Sequence, residues 1–149
     1  MLTVEIISPE KAIHRTTGVE VILPTTAGEL GIRTGHLPLL AQLKSGTVVV
    51  KKENGKDEIL ATFGGIVEVF ENTVYLMVDS AELADDLDEL KVQEAIHRAE
   101  ELKAEAKNTG DLKTASAMLA KNFTRLKAVR RFKHHGHHAR PIKDEEKPN

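Results

Sequence analysis

Thr47-Val48-Val49-Val50-Lys51-Lys52 runs into Asn54-Gly55, and Ile59-Leu60-Ala61-Thr62-Phe63 returns from that turn to a break at Gly64-Gly65. Two apolar, β-branched runs joined through Asn-Gly read as a β-hairpin, because a tight hairpin turn needs residues that tolerate positive φ. The pattern continues outward in both directions. Ile66-Val67-Glu68-Val69-Phe70 and Thr73-Val74-Tyr75-Leu76-Met77-Val78 flank a short turn at Glu71-Asn72. Upstream, Leu2, Val4 and Ile6 alternate with Thr3, Glu5 and Ile7, and Val19-Glu20-Val21-Ile22-Leu23 is expected to stop at Pro24. Many short strands with close turns and no helix between them predict an antiparallel β-sandwich or closed barrel over residues 1–82. A parallel α/β sheet would need helical crossovers, and none fit.

The periodicity changes near residue 83. Leu87, Leu90, Ala95, Ala99, Leu102 and Ala106 recur at roughly helical spacing. Asp86 and Glu89 have the spacing of a capping pair, and Asn108-Thr109-Gly110 is a stop. Asp111 is placed to cap a second helix, with the stripe Leu112, Ala115, Leu119, Phe123, Leu126 and Val129. A link of about three residues makes the two helices, within 83–132, an antiparallel hairpin. Alanines on the first stripe permit close approach of the axes. From Lys133 the chain turns His-rich and charged, and residues 133–149 are expected to be a disordered tail.

The formal charge of −2 hides a split. Residues 1–80 carry net −3, residues 81–112 net −6 and residues 113–149 net +7. Adjacent blocks of opposite sign predict segments that pair with each other or meet a charged partner. With no cysteine there is no disulfide, thiolate zinc site or cysteine nucleophile, and a reduced, intracellular setting is expected. No apolar run approaches the roughly 18 residues that span a bilayer, and from the start Met1-Leu2-Thr3-Val4-Glu5 no secretion signal is expected. Five aromatics and no Trp argue against a nucleic-acid reader built on stacked bases. The histidines at 134, 135, 137 and 138 would bind nickel or zinc adventitiously, and no native metal site is expected. No serine lies in a nucleophile motif, so the chain reads as non-catalytic.

Gly28-Glu29-Leu30-Gly31-Ile32-Arg33-Thr34-Gly35-His36-Leu37-Pro38-Leu39-Leu40, followed by Leu43-Lys44-Ser45-Gly46, is the most specific stretch. Its glycines lack the spacing and Lys-Ser/Thr ending of a phosphate loop. It resembles the GELGI-x-x-GH-x-PLL…L-x-x-G signature of the ε subunit of bacterial F-type ATP synthases. Gly64-Gly65-Ile66-Val67-Glu68-Val69 is similar to that family's GG-x-x-EV strand. Asp86-Leu87-Asp88-Glu89 and Ala95-Ile96-His97-Arg98-Ala99-Glu100 resemble its helical region. The resemblance covers roughly residues 1–130.

The resemblance implies a sandwich of about ten strands followed by a helical hairpin. It implies a non-catalytic subunit of the central rotor stalk, touching the γ subunit and the c-ring during proton-driven ATP synthesis. It places such a subunit peripherally, at the cytoplasmic face of the bacterial plasma membrane. It places the Gly28–His36 loop near the polar loops of the c-ring, with Glu29 and His36 as candidate contacts. The plainer reading of His36 is a packed, hydrogen-bonded histidine. The resemblance also implies that the hairpin can extend toward the catalytic α/β head and restrain ATP hydrolysis. Lys121, Arg125, Lys127, Arg130 and Arg131 would then meet an acidic loop of the head; otherwise they are a solvated basic stripe.

ATP-binding members of the family show (I/L)-D-x-x-R-A where this chain has Leu87-Asp88-Glu89-Leu90-Lys91-Val92. Leu87 and Asp88 match. Lys91 cannot reproduce the planar fork of Arg, and Val92 crowds the alanine position. Lys91 with Lys121 and Arg125, four residues apart on the second helix, could surround a triphosphate. No cofactor is required, and ATP is a candidate regulatory ligand. The rival readings are an ATP-sensing module and an unrelated adaptor with a helical docking arm.

Overall fold

A computed structural model describes residues 1–10 and 14–138. Ten strands come first: β1 (Leu2–Ile7), β2 (His14–Gly18), β3 (Glu20–Thr25), β4 (Gly28–Arg33), β5 (Leu39–Leu43), β6 (Gly46–Lys51), β7 (Glu58–Thr62), β8 (Gly65–Phe70), β9 (Thr73–Val78) and β10 (Ala81–Leu83). A short 3₁₀ turn (Ala84–Asp86) leads into α1 (Glu89–Glu105) and α2 (Thr109–His138).

The strands form one ladder in the order β10-β7-β6-β3-β5-β8-β9-β1-β2, with β4 also paired to β3. The ladder turns a corner at the end of β3, where Thr25 alone meets β5, at Leu43. The two leaves then close over Leu2, Val4 and Ile6 of β1, Val21 and Leu23 of β3, Val48 and Val50 of β6, Leu60 of β7, and Val67, Val69, Val74 and Leu76 of β8 and β9. Strand alternation sends these side chains inward.

Two details differ from the expectation. Every pairing is antiparallel except β1 with β9, which is parallel. The first strand slots between β9 and β2, using everything from β2 to β8 as its crossover. Pro24 does not end β3 but lies within it, opposite Glu29. Pairing of β3 with β6 stops at Ile22, so the N–H that proline lacks leaves no bond unmade on that side.

The turns follow from residue chemistry. Glu71 and Asn72 both take positive φ (45° and 61°), as a two-residue hairpin turn requires. Gly65 has φ +139°, and a Cβ there would stand 2.1 Å from the Met77 carbonyl oxygen.

The helices form the expected hairpin, linked by Ala106–Asn108, with different caps and a shifted stripe. Asp88, not Asp86, caps α1: its carboxylate accepts from the backbone N–H groups of Leu90 and Lys91. Asp86 belongs to the 3₁₀ turn. Asn108, not Asp111, begins α2: its Oδ1 accepts the Asp111 N–H (2.8 Å) and its Nδ2 donates to the Asp111 carboxylate (3.0 Å). The buried residues of α1 are Val92, Ile96 and Ala99, whereas Leu90 and Leu102 are exposed. Val92 and Ile96 meet Leu126 and Leu119 of α2. The expected boundary at 133 also moves. Helix α2 continues to His138, so the start of the His-rich segment is helical, and residues 139–149 lie outside the described ones.

Gly65→Ala should lower stability by roughly 2–4 kcal/mol, combining positive-φ strain with overpacking against β9. Urea unfolding of the full chain checks this, and a change below about 0.5 kcal/mol would contradict it.

Candidate functional site

The two outer sheet faces are treated differently. On one leaf, Val49 of β6 and Ile59 and Ala61 of β7 point away from the sandwich core and are buried under α2. Ala84 and Ala128 close this second cluster, with Ile22, Phe63 and Phe132 at its margin. Ala128 is fully buried, and its small side chain lets the helix axis approach the sheet. The hairpin is therefore folded down onto the sandwich.

Polar contacts frame that apolar seam. Arg125 grips Glu82 of β10 with Nε (2.7 Å) and Nη2 (2.8 Å), and its Nη1 donates to Asn122 Oδ1 (3.0 Å). The Glu82 hydrogen bonds outweigh burial and hold the guanidinium pKa above its ordinary value. Arg125 and Lys121 also lie over the Phe63 ring, 5.5 and 4.7 Å from its centroid. At the start of α1, Glu89 meets Lys133 and Arg130 (3.5 Å). Hydrogen bonding from Lys133, only partly offset by desolvation and helped by Arg130, holds the Glu89 carboxyl below the usual range. Among the described ion pairs, the acidic and basic helices thus pair through Glu89 alone; Arg125 turns to the sandwich instead.

These contacts reorder the candidate residues. Asp88 spends its carboxylate on two backbone N–H groups, which orients it along α1. Leu87 is half-buried and Lys91 exposed. Glu89, beside Asp88, engages α2 at residues 130 and 133, roughly 8–18 Å along the helix from Arg125 and Lys121. Lys121 and Arg125 do come together, on Phe63, but Arg125 is already neutralised by Glu82. A cavity of about 440 Å³ beside them is lined by Ser45, Phe63, Asp79, Ser80 and Lys121, with neither Asp88 nor Lys91 among its walls. The basic residues do not share one face either. Lys121 and Arg125 face the sandwich, while Lys127 and Arg130 are exposed and Arg131 is half-buried.

Glu29 is the second residue of β4, and His36 lies beyond its other end, in the turn that its N–H closes onto the Arg33 carbonyl (3.1 Å). Glu29 is exposed beside the β3–β4 turn. His36 is half-exposed and its Nδ1 donates to the Leu37 carbonyl (2.7 Å). The preceding Gly35 N–H donates to Asn72 Oδ1 (2.7 Å), which ties this loop to the β8–β9 turn.

Sequence reasoning missed one surface. The other leaf leaves Leu40 (71% exposed), Ile66 (46%), Phe70 (51%) and Met77 (39%) open on β5, β8 and β9. Ile66 pairs with Met77, and Leu40 lies opposite Glu68. The signal was present: Ile66 and Phe70 occupy the same alternate positions as Glu68, which should face solvent.

A β-sandwich carrying a folded-down helical hairpin, with one apolar face covered and one open, defines a binding subunit. The model of the ATP synthase delta/epsilon chain β-sandwich domain matches residues 1–84. The ATP synthase epsilon chain 2 of Ralstonia nicotianae is 40% identical over 131 residues, covering 88% of this chain and 94% of that one. The ATP synthase epsilon chain of Alkalilimnicola ehrlichii is 39% identical over 132 residues, 89% and 94% of the two chains. The chain belongs to the family of ATP synthase epsilon chains, which are non-catalytic subunits of that enzyme. A chain of the Euglena gracilis mitochondrial ATP synthase shares the fold, with a TM-score of 0.71 and 21% identity over 85% of this chain and 79% of that one.

A double-mutant cycle over Glu82→Gln and Arg125→Gln should return a coupling of about 1 kcal/mol in chemical unfolding. Additive effects would show that the grip is incidental.

Proposed function

We propose that the chain is a rotor subunit whose sandwich sits in the central stalk between the γ subunit and the c-ring. In this reading the hairpin is a movable regulator of ATP hydrolysis by the catalytic α/β head. The observation that carries it is the unequal pair of outer faces. The hairpin seals Val49, Ile59 and Ala61, while Leu40, Ile66, Phe70 and Met77 stay open at a size and chemistry suited to a protein partner. The open face is assigned to γ. A sheet cross-linked by backbone ladders resists shear, which suits torque transfer. Family membership removes the unrelated-adaptor alternative.

We assign the c-ring contact to Glu29 in preference to His36, which lies beyond the other end of β4. Glu29, exposed beside the β3–β4 turn, is the better placed for the c-ring. His36 serves the loop that Asn72 anchors. Among the described residues no helix is long and apolar enough to cross a membrane, and we assign the chain to the cytoplasmic face of the bacterial plasma membrane through its complex.

Regulation follows from what holds the hairpin down. Extension exposes the second apolar cluster and breaks the Arg125–Glu82 grip, so partner contacts must replace both. Lys127 is exposed and is placed to meet an acidic loop of the head first; Arg130 would first leave Glu89, and Lys121 and Arg125 join only after undocking. ATP sensing would require Arg125 to exchange Glu82 for phosphate, with Asp88 committed to its cap and Lys91 exposed on α1.

Removing residues 86–149 should leave a folded sandwich that binds γ, and ATP hydrolysis by the assembled enzyme should rise. An unchanged rate would show that the hairpin is not inhibitory. Titrating the full chain with ATP to millimolar levels should leave hydrogen exchange of α2 unaltered. A saturable slowing would instead support the ATP sensor.

A further inference from the structure

The open leaf is not apolar throughout. Its outward positions run in rows across the strands. One row passes from Leu40 of β5 through Glu68 of β8, Tyr75 of β9 and Glu5 of β1 to Arg15 of β2. Along β8, Ile66 and Phe70 stand two residues to either side of Glu68 and share its face. Met77 lies opposite Ile66 on β9. An exposed carboxylate is therefore surrounded by Leu40, Ile66, Phe70 and the half-buried Tyr75.

The two carboxylates of this row differ in their company. Glu5 is neutralised: its Oε1 lies 2.5 Å from Arg15 Nη2, and its side chain is only 14% exposed. Among the described residues, no cation pairs with Glu68. Water solvates it in the free chain, so the lack of a partner costs nothing there. The cost appears when a partner covers the leaf. A carboxylate sealed against apolar surface loses its hydration and gains no attraction in return. The leaf thus excludes an occupant whose matching surface is apolar throughout, and admits one that brings a cation to this point. The surroundings select the kind of cation. A guanidinium is planar and weakly hydrated, so it can lie on aromatic and aliphatic groups such as Tyr75 and Leu40 while its N–H fork engages the carboxylate. A compact, strongly hydrated ammonium has more water to surrender.

We propose, resting on the assignment of the open leaf to γ, that Glu68 between Leu40 and Tyr75 is the receptor for an arginine of γ. The γ surface that covers this leaf is then an apolar patch with one arginine near its centre. Burial of Leu40, Ile66, Phe70 and Met77 supplies the attraction. The ion pair supplies register and discrimination. An apolar surface without a cation leaves Glu68 buried and unpaired, and an acidic one opposes it. Glu5 cannot take over the role, because Arg15 already occupies it.

Binding rates of the full chain to an α/β head that carries γ but no epsilon chain test this. Glu68→Gln keeps the size of the side chain and removes its charge. It should weaken binding roughly 30-fold or more, mainly through faster dissociation. Phe70→Ala removes apolar contact from the same leaf and should weaken binding roughly ten-fold. Glu71→Gln makes the same charge change in the adjacent turn and should stay within about two-fold of wild type. Glu68 and Phe70 are both exposed, and urea unfolding of each variant checks that the sandwich is intact. If Phe70→Ala weakens binding while Glu68→Gln binds as well as wild type or better, the arginine receptor is overturned and the leaf stays with γ. If neither variant weakens binding, the leaf is not the γ contact, and the receptor falls with that reading. An equal loss in Glu71→Gln would trace the effect to general attraction and overturn the receptor. A zero-length carbodiimide coupling of Glu68 to a lysine of γ would make the cation an ammonium and overturn the arginine.

Discussion

Strands β6 and β7 are apolar on both sides, and most of the architecture depends on that. Val48, Val50 and Leu60 fill the sandwich core, while Val49, Ile59 and Ala61 point the other way. A sheet face carrying Val49 and Ile59 cannot be left wet without cost, since burying each such side chain is worth about 1.5–3 kcal/mol. Helix α2 supplies the cover, and Ala128 sets how closely it can lie. Exposed ion pairs contribute about 0.2–1 kcal/mol each. Apolar burial thus holds the hairpin down, and Arg125–Glu82 and Glu89–Lys133 set its register.

The contacts that dock α2 are modest. Among the described residues, α2 brings few apolar side chains to the sheet: Ala128 and Phe132 meet Val49, Ile59 and Ala61, beside the Phe63 ring with its two cations. An alternative partner offering comparable apolar contact and an acidic loop could compete for the helix. By contrast, the sandwich has a closed core of its own, drawn from both leaves, and need not open when the hairpin leaves.

Much of this was legible from residues alone. Gly55 and Glu71-Asn72 marked the hairpins, and all three take positive φ. Alternation of Leu2, Val4 and Ile6 marked a strand with one buried face. The caps were misassigned because 85–88 offers three carboxylates in four residues, and only backbone geometry selects Asp88. The α1 stripe was shifted for a related reason. Leu90 and Leu102 look like core residues in a periodicity count, but the axis of α2 passes over Val92, Ile96 and Ala99. The basic residues of α2 read as one patch in sequence, yet 100° per residue divides them between sheet and solvent.

By itself the sequence determined the order of β-sandwich and helical hairpin and the family. All of these rest on local rules: turn chemistry, side-chain period and a contiguous motif. The tertiary structure alone decided that β1 pairs parallel to β9, that Arg125 is held by Glu82, and that the Gly35 N–H is tied to Asn72. Each of those joins residues far apart in the chain, and no local period encodes which distant partner a side chain will meet. They were settled when two apolar faces of one sheet had to be buried at once.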